Sequence, residues 1–153
     1  DHHYGATGDY NIRIYGDLTK ITKFDEHSNP ISGDIKTFAQ ATSLTYLNLY
    51  STSVSGDIAN LSGLTSLTVL YINNTSVDTY TQGVLPDWDA CDIRIQNLGL
   101  SQQEVDDFLC DLNTASTASV KTLEIDGTNA APSATGAACA TSLRGKGWTV
   151  ITS

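Results

Sequence analysis

The chain has 153 residues, 40% of them hydrophobic and 16% charged, with 12 Gly and 3 Pro, which suits one globular domain and excludes disordered, collagenous and low-complexity chains. Eight Lys and Arg against seventeen Asp and Glu leave a formal charge of −9, a field that repels phosphate backbones and anionic lipid and argues against a nucleic-acid partner. No apolar run nears the roughly 18 residues of a membrane span, so no membrane insertion is expected, and the three Cys are too few for a disulfide framework and match no zinc spacing.

In chain order, the stretch up to about Tyr10 lacks the pattern that follows and is expected to cap the first open end of the core, over residues 1–11. The start at Asp1 and the absence of Met read as a processed product or a piece of a longer protein. From residue 12 the chain repeats itself. Thr42–Val54, TSLTYLNLYSTSV, lies over Thr65–Val77, TSLTVLYINNTSV, so that Leu44, Leu47 and Thr52 recur as Leu67, Leu70 and Thr75 with a period of 23 residues. ISGDI at Ile31–Ile35 returns as VSGDI at Val54–Ile58. Carried backward, the period pairs Ile12 with Ile35 and Phe24 with Leu47; carried forward, it sets Ile93, Ile95, Leu98 and Leu100 on Leu70, Ile72, Thr75 and Val77. A fifth copy begins at Val120, with Leu123 and Ile125 at the strand positions.

Within a copy, Leu47 and Leu49 point one way and Tyr46, Asn48 and Tyr50 the other, the alternation of a strand with one buried face. A strand so short cannot bury its apolar side alone. Stacking the copies closes a common interior and pairs the strands in parallel into a curved sheet, so the expected fold is an α/β solenoid. After Leu100, SQQEVDDFLCDL carries a capping box, Ser101 with Glu104, and then Val105, Phe108, Leu109 and Leu112 at helical spacing. A second helix is expected over Pro132–Leu143, with Pro132 in its first position, Gly145 beyond its end, and Ala138 and Cys139 against the preceding helix. GWTVIT, Gly147–Thr152, reads as a closing strand. The division is thus a single domain: cap 1–11, 23-residue repeats 12–100, and helix-containing repeats with a carboxy-terminal cap 101–153.

The unit LxxLxLxxT resembles the leucine-rich repeat, LxxLxLxxN, over about Ile12–Thr152, and the VSGDI segments look like the LSGxIP segment of its plant-type subclass. That resemblance implies a right-handed solenoid, an irregular convex side in the first repeats and helices in the last two. Departures are Glu26 at a core strand position, Thr52, Thr75 and Thr128 in place of Asn, and Leu98, where the internal polar ladder should break.

Searches for a nucleophile with its base, a metal cluster or a phosphate loop return nothing, so no catalytic residue, metal site or cofactor is expected. Asp34 and Asp57 occupy equivalent turns, where the choice lies between turn formation and a calcium site. Cys139 reads as a small core residue, while Cys91 and Cys110 are left open as a bridge. Triplets N-x-[ST] begin at Asn60, Asn73 and Asn74, and Thr22, Thr45 and Thr68 form an outward row reminiscent of ice-binding solenoids, though tyrosines interrupt it.

Three columns point outward from the strands: Lys23, Tyr46, Val69, Asp92, Thr122; Asp25, Asn48, Tyr71, Arg94, Glu124; and His27, Tyr50, Asn73, Gln96, Asp126. Tyr and Arg are enriched at binding hot spots. The candidate ligand-binding set is therefore Tyr46, Asn48, Tyr50, Tyr71, Asn73, Arg94 and Gln96, on the concave face of a monomeric, non-catalytic module that recognises a protein partner. The resemblance to bacterial surface repeats implies adhesion and an extracellular or cell-surface location, in a bacterium or its phage. The alternative is a structural spacer or stalk segment of a larger surface or phage tail protein.

Overall fold

The structure, a computed structural model, describes residues 16–153, so the cap expected over residues 1–11 and Ile12 of the first copy lie outside it. Among the described residues nine strands form: β1 (Lys23–Asp25), β2 (Ser32–Asp34), β3 (Tyr46–Asn48), β4 (Ser53–Asp57), β5 (Val69–Tyr71), β6 (Ser76–Thr79), β7 (Asp92–Arg94), β8 (Thr122–Glu124) and β9 (Thr149–Ile151). The fold is α/β. One open, wholly parallel sheet runs β1-β3-β5-β7-β8-β9, and a smaller parallel sheet runs β2-β4-β6.

Register in the main sheet follows the 23-residue period from β1 to β7, and the helix-containing copies keep the same column with steps of 30 and 27 residues. Phe24 pairs with Leu47, Leu47 with Leu70, Leu70 with Ile93, Ile93 with Leu123 and Leu123 with Val150. All but the terminal Phe24 are buried, and Leu49, Ile72, Ile95 and Ile125 form a second sealed column behind them. Glu26, at the equivalent place in the first copy, is exposed and accepts from the Asn29 amide, so its carboxylate never enters the core. Trp88 is fully enclosed in the core, with its indole N–H on the Leu64 carbonyl at 3.0 Å.

The two SGD turns start short 3-10 helices at Ile35–Gln40 and Ile58–Leu61. Asp34 and Asp57 cap them, accepting from the N–H groups of Lys36 at 2.9 Å and Ala59 at 2.8 Å. Gly56 has φ +112°, and a Cβ there would lie 2.8 Å from Asp34 Oδ1, so neither the conformation nor the stacking of the two turns admits a side chain.

Helix α1 (Gln102–Ala115) has the expected capping box and buries Val105, Phe108, Leu109 and Leu112. Helix α2 (Ala134–Gly145) starts later than the sequence suggests: Ser133 is its N-cap, accepting from the Thr135 N–H, so Pro132 lies outside the helix and Gly145 closes it. Ser133 wins because its N–H and hydroxyl also donate to Asp106, which α1 presents to α2.

Two further expectations are corrected. Cys139 does not rest in the core as a lone small residue and Cys110 does not approach Cys91; Cys110 and Cys139 form a disulfide, Cα–Cα 5.1 Å. Asp106 and Cys110 stand at i and i+4, so the helix face carrying one carries the other toward α2. Cys91 is buried and free, its N–H on the Trp88 carbonyl just as the N–H of Leu44 is on Ala41 and that of Leu67 on Leu64. It therefore takes a leucine's place in the interior, where burial pushes its thiol well above the ordinary range. The ladder position of the fifth copy is Asn129, not Thr128. Thr128 is exposed, whereas buried Asn129 donates to the carbonyls of Ile95 (2.8 Å) and Ile125 (3.1 Å) and accepts from the N–H groups of Leu98 and Leu100 (both 3.1 Å). One side chain thus satisfies the gap that Leu98 leaves in the preceding copy. Thr52 and Thr75 reach only their own turns, at Leu49 O (2.8 Å) and Ile72 O (2.7 Å).

Candidate functional site

The exposed side of the main sheet collects the three outward columns on adjacent strands, with Asn48 beside Tyr71, Tyr71 beside Arg94 and Arg94 beside Glu124. A depression of about 590 Å³ opens over the second and third columns. Six of the seven candidates, Asn48, Tyr50, Tyr71, Asn73, Arg94 and Gln96, line it. Tyr46 does not; it lies in the first column beneath the Lys23 ammonium, 4.5 Å from its ring centre.

Planar groups are stacked and bonded along the wall. The Arg94 guanidinium sits 4.5 Å above the Tyr71 ring, with Nε 3.5 Å from Glu124 Oε1, and Glu124 also accepts from the Gln96 amide. Asn48 donates to Asp25 at 3.0 Å and accepts from the Tyr50 N–H at 3.2 Å, which fixes both faces of its amide. The side-chain bond from Lys23 holds the Asp25 carboxyl below its usual range. Burial raises the Tyr71 hydroxyl, so the phenol stays neutral at physiological pH. Asn73 Oδ1 and Gln96 Oε1 are buried and have no hydrogen-bond partner.

The outward columns miss part of the wall. Asn74 and Asn97 also line the depression, one residue past the third column. Ser28, Ser51, Asn74 and Asn97, 23 residues apart, all hold φ of 56–59°, a left-handed turn that ends each strand segment. The Asn97 amide donates to Asn74 Oδ1 at 2.9 Å and its oxygen accepts from Thr128 N–H at 3.0 Å. Gly127 continues the row at φ +78°, and a Cβ on it would lie 2.0 Å from Asn97 Oδ1. A signal for the later part of this row was present in the sequence, since Asn and Gly tolerate that conformation and stand at positions 74, 97 and 127, whereas Ser28 and Ser51 gave none.

Elsewhere, the Thr22, Thr45 and Thr68 row is internally bonded, with the hydroxyls of Thr45 and Thr68 donating to the preceding copy's carbonyls at 3.0 and 2.9 Å. Asp34 and Asp57 are engaged as caps; Asp34 additionally pairs with Lys36 at 2.9 Å, and Asp57 accepts from the Thr81 N–H at 3.1 Å. Among the described residues no three His, Cys, Asp or Glu side chains converge as a metal-binding group would, and no helix is long and apolar enough to cross a membrane. Neither a family model, nor a curated protein, nor a solved structure matches the chain.

Proposed function

We propose that the chain is a non-catalytic recognition or adhesion module of leucine-rich-repeat type, a right-handed solenoid that binds its partner on the open face of the main sheet. The observation that carries this is the unbroken register from Phe24 to Val150, which lines up the outward side chains of copies far apart in sequence into one preformed wall. Right-handedness follows from the parallel crossovers, which take that hand in nearly all known cases. Stacked and hydrogen-bonded side chains such as Arg94 on Tyr71 lose little freedom when a partner docks, which favours recognition over a merely solvated surface. The Cys110–Cys139 disulfide supports an oxidising, extracellular or cell-surface setting.

The test is binding to the target surface by the whole chain and by Tyr71→Ala and Arg94→Ala variants shown by circular dichroism to be folded. A recognition module loses roughly ten-fold or more in affinity with either substitution. Retained binding by both variants, or no surface to which the chain binds at all, would favour the spacer instead.

A further inference from the structure

We infer that the depression on the open sheet face is a subsite for a short, uncharged oligosaccharide; this rests on the recognition function proposed above and names its ligand class. The size of the face favours a small ligand over a protein. Six strands about 4.8 Å apart and five residues at about 3.3 Å each span roughly 24 by 13 Å, on the order of 300 Å². A standard protein interface buries about 800 Å² of accessible surface on each partner, so a protein would have to reach past this grid onto its rims. The depression itself, about 590 Å³, lies within the range of small-ligand sites. Its lining runs from His27, just past β1, to Gly127, just past β8, an elongated trough of about 19 Å that suits a chain of a few sugar rings.

The chemistry of the wall points the same way. Among the described residues the Lys and Arg side chains of the face are already paired, Lys23 with Asp25 at 3.1 Å, Lys121 with Asp92 at 3.0 Å and Arg94 with Glu124 at 3.5 Å, so none stands unpaired to meet an anionic ligand. An apolar ligand would find no apolar floor, because amides and a carboxylate (Asn48, Asn73, Asn74, Gln96, Asn97, Asp126) make up just over half of the lining. Sugar hydroxyls both donate and accept, which matches side chains that carry both functions on one planar group. Asn73 Oδ1 and Gln96 Oε1 are acceptors shut from water without a donor, two residues past the ends of neighbouring strands. Terminal amide torsions are soft, and turning either group toward the trough would trade an unmet acceptor for a hydroxyl bond. Tyr50, 40% exposed, supplies an uncovered ring for the C–H face of one sugar, whereas the Tyr71 ring is already beneath Arg94.

The experiment probes the whole chain on an array of neutral oligosaccharides printed beside sialylated, sulfated and uronic-acid-containing ones, with hits titrated by calorimetry. Tyr50→Ala and Gln96→Ala are the site variants, and Val84→Ser, at a position 88% exposed and outside the lining, is the control. The expected result is binding to at least one neutral oligosaccharide that barely changes when salt rises from about 50 to about 500 mM, a range over which an ionic contact would be strongly screened. Both site variants weaken it at least roughly ten-fold and the control does not. No neutral binder, binding confined to anionic sugars and lost with salt, or binding indifferent to both site variants would each overturn the inference. A protein ligand that depends on Tyr71 and Arg94 and is displaced by no sugar would leave the recognition function standing while overturning this ligand class; no ligand of either kind on the face would overturn both.

Discussion

Asp89 ties its own turn to the segment that follows α1. Its oxygens accept from the Ser116 hydroxyl, from the N–H and hydroxyl of Thr117 at 2.9 and 2.8 Å, and from the Ala118 N–H at 2.8 Å, while its own carbonyl takes the Ser119 hydroxyl at 2.7 Å. Burial works against the charge, but these donors hold the carboxyl down at about 2. A depressed acid stabilises the fold fully above its unfolded value of 3.8 and ceases to do so as the pH falls through about 2. With solvent screening allowed for, the contribution is on the order of 1–2 kcal/mol. Asp89→Asn is therefore expected to lower the urea midpoint at pH 7, and the gap to the parent chain should narrow between pH 4 and 2; a gap independent of pH would show that the carboxylate's charge is not what matters. Asn129 poses the complementary case of a neutral group with all its partners inside. Replacing it with Ala strands two carbonyls and two N–H groups and should destabilise by about 3 kcal/mol or more in denaturant titration, against about 1 kcal/mol for Thr75→Ala, whose hydroxyl serves one turn. Equal losses would mean that water replaces Asn129 readily. The sequence concealed this residue because the spacing within a copy, Leu47 to Thr52 and Leu70 to Thr75, points to Thr128 after Leu123, whereas the chain here turns its buried side chain inward one residue later.

Among the elements, the short strands and α1 were legible because their residues obey simple periodicities: alternation in TYLNLY, and a Ser-to-Glu capping box followed by an apolar helical stripe. Where two local signals compete, the sequence is ambiguous. Pro132 and Ser133 both announce a helix start, and the contact of Ser133 with Asp106, 27 residues away, decides between them. The disulfide was hidden for the same reason: pairing is a property of which faces of α1 and α2 meet, and odd cysteine arithmetic says nothing about that. The bridge closes a loop with a sequence separation of 29, for which the chain-entropy account gives about 3–4 kcal/mol. Replacing Cys110 and Cys139 together with Ser should lower stability by that order in a chemical denaturation series, whereas Cys91→Ser, which buries a hydroxyl among apolar neighbours, should differ from the parent by the same amount with and without reductant. Identical melting of the double variant and the parent under oxidising conditions would show that the helix contacts alone hold the two elements.

At the scale of the molecule, each main-sheet strand pairs only with its neighbours in the stack, so stability can differ along its length rather than being shared evenly. The two ends are unlike. Toward β1, Ile21, Phe24, Ile31 and Phe38 are only half-buried and line an apolar-walled depression of about 400 Å³. Toward β9 the core is shut by Val150, Trp148 and Leu143, and Lys146 draws the elements together by donating to the carbonyls of Asn113 and Ser116 at the end of α1. The last two crossovers are helices tied by a disulfide, whereas the first two are 3-10 turns whose caps are single aspartates. Hydrogen exchange followed by mass spectrometry in native buffer should consequently find the amides of Glu26 and Ser28, which bond across from β1 to the next copy, opening at a lower free energy than those of Ile95 and Asn97, which bond across from β7 to β8. Protection should rise in steps of one copy. The face proposed for binding spans both regimes, with Tyr50 on the looser side and Arg94 and Gln96 on the tighter, so a ligand seated across the trough should raise protection most on the β1 side. Uniform protection from β1 to β8, unchanged by a bound ligand, would mean that the stack opens as one cooperative unit and that the difference between its ends has no energetic consequence.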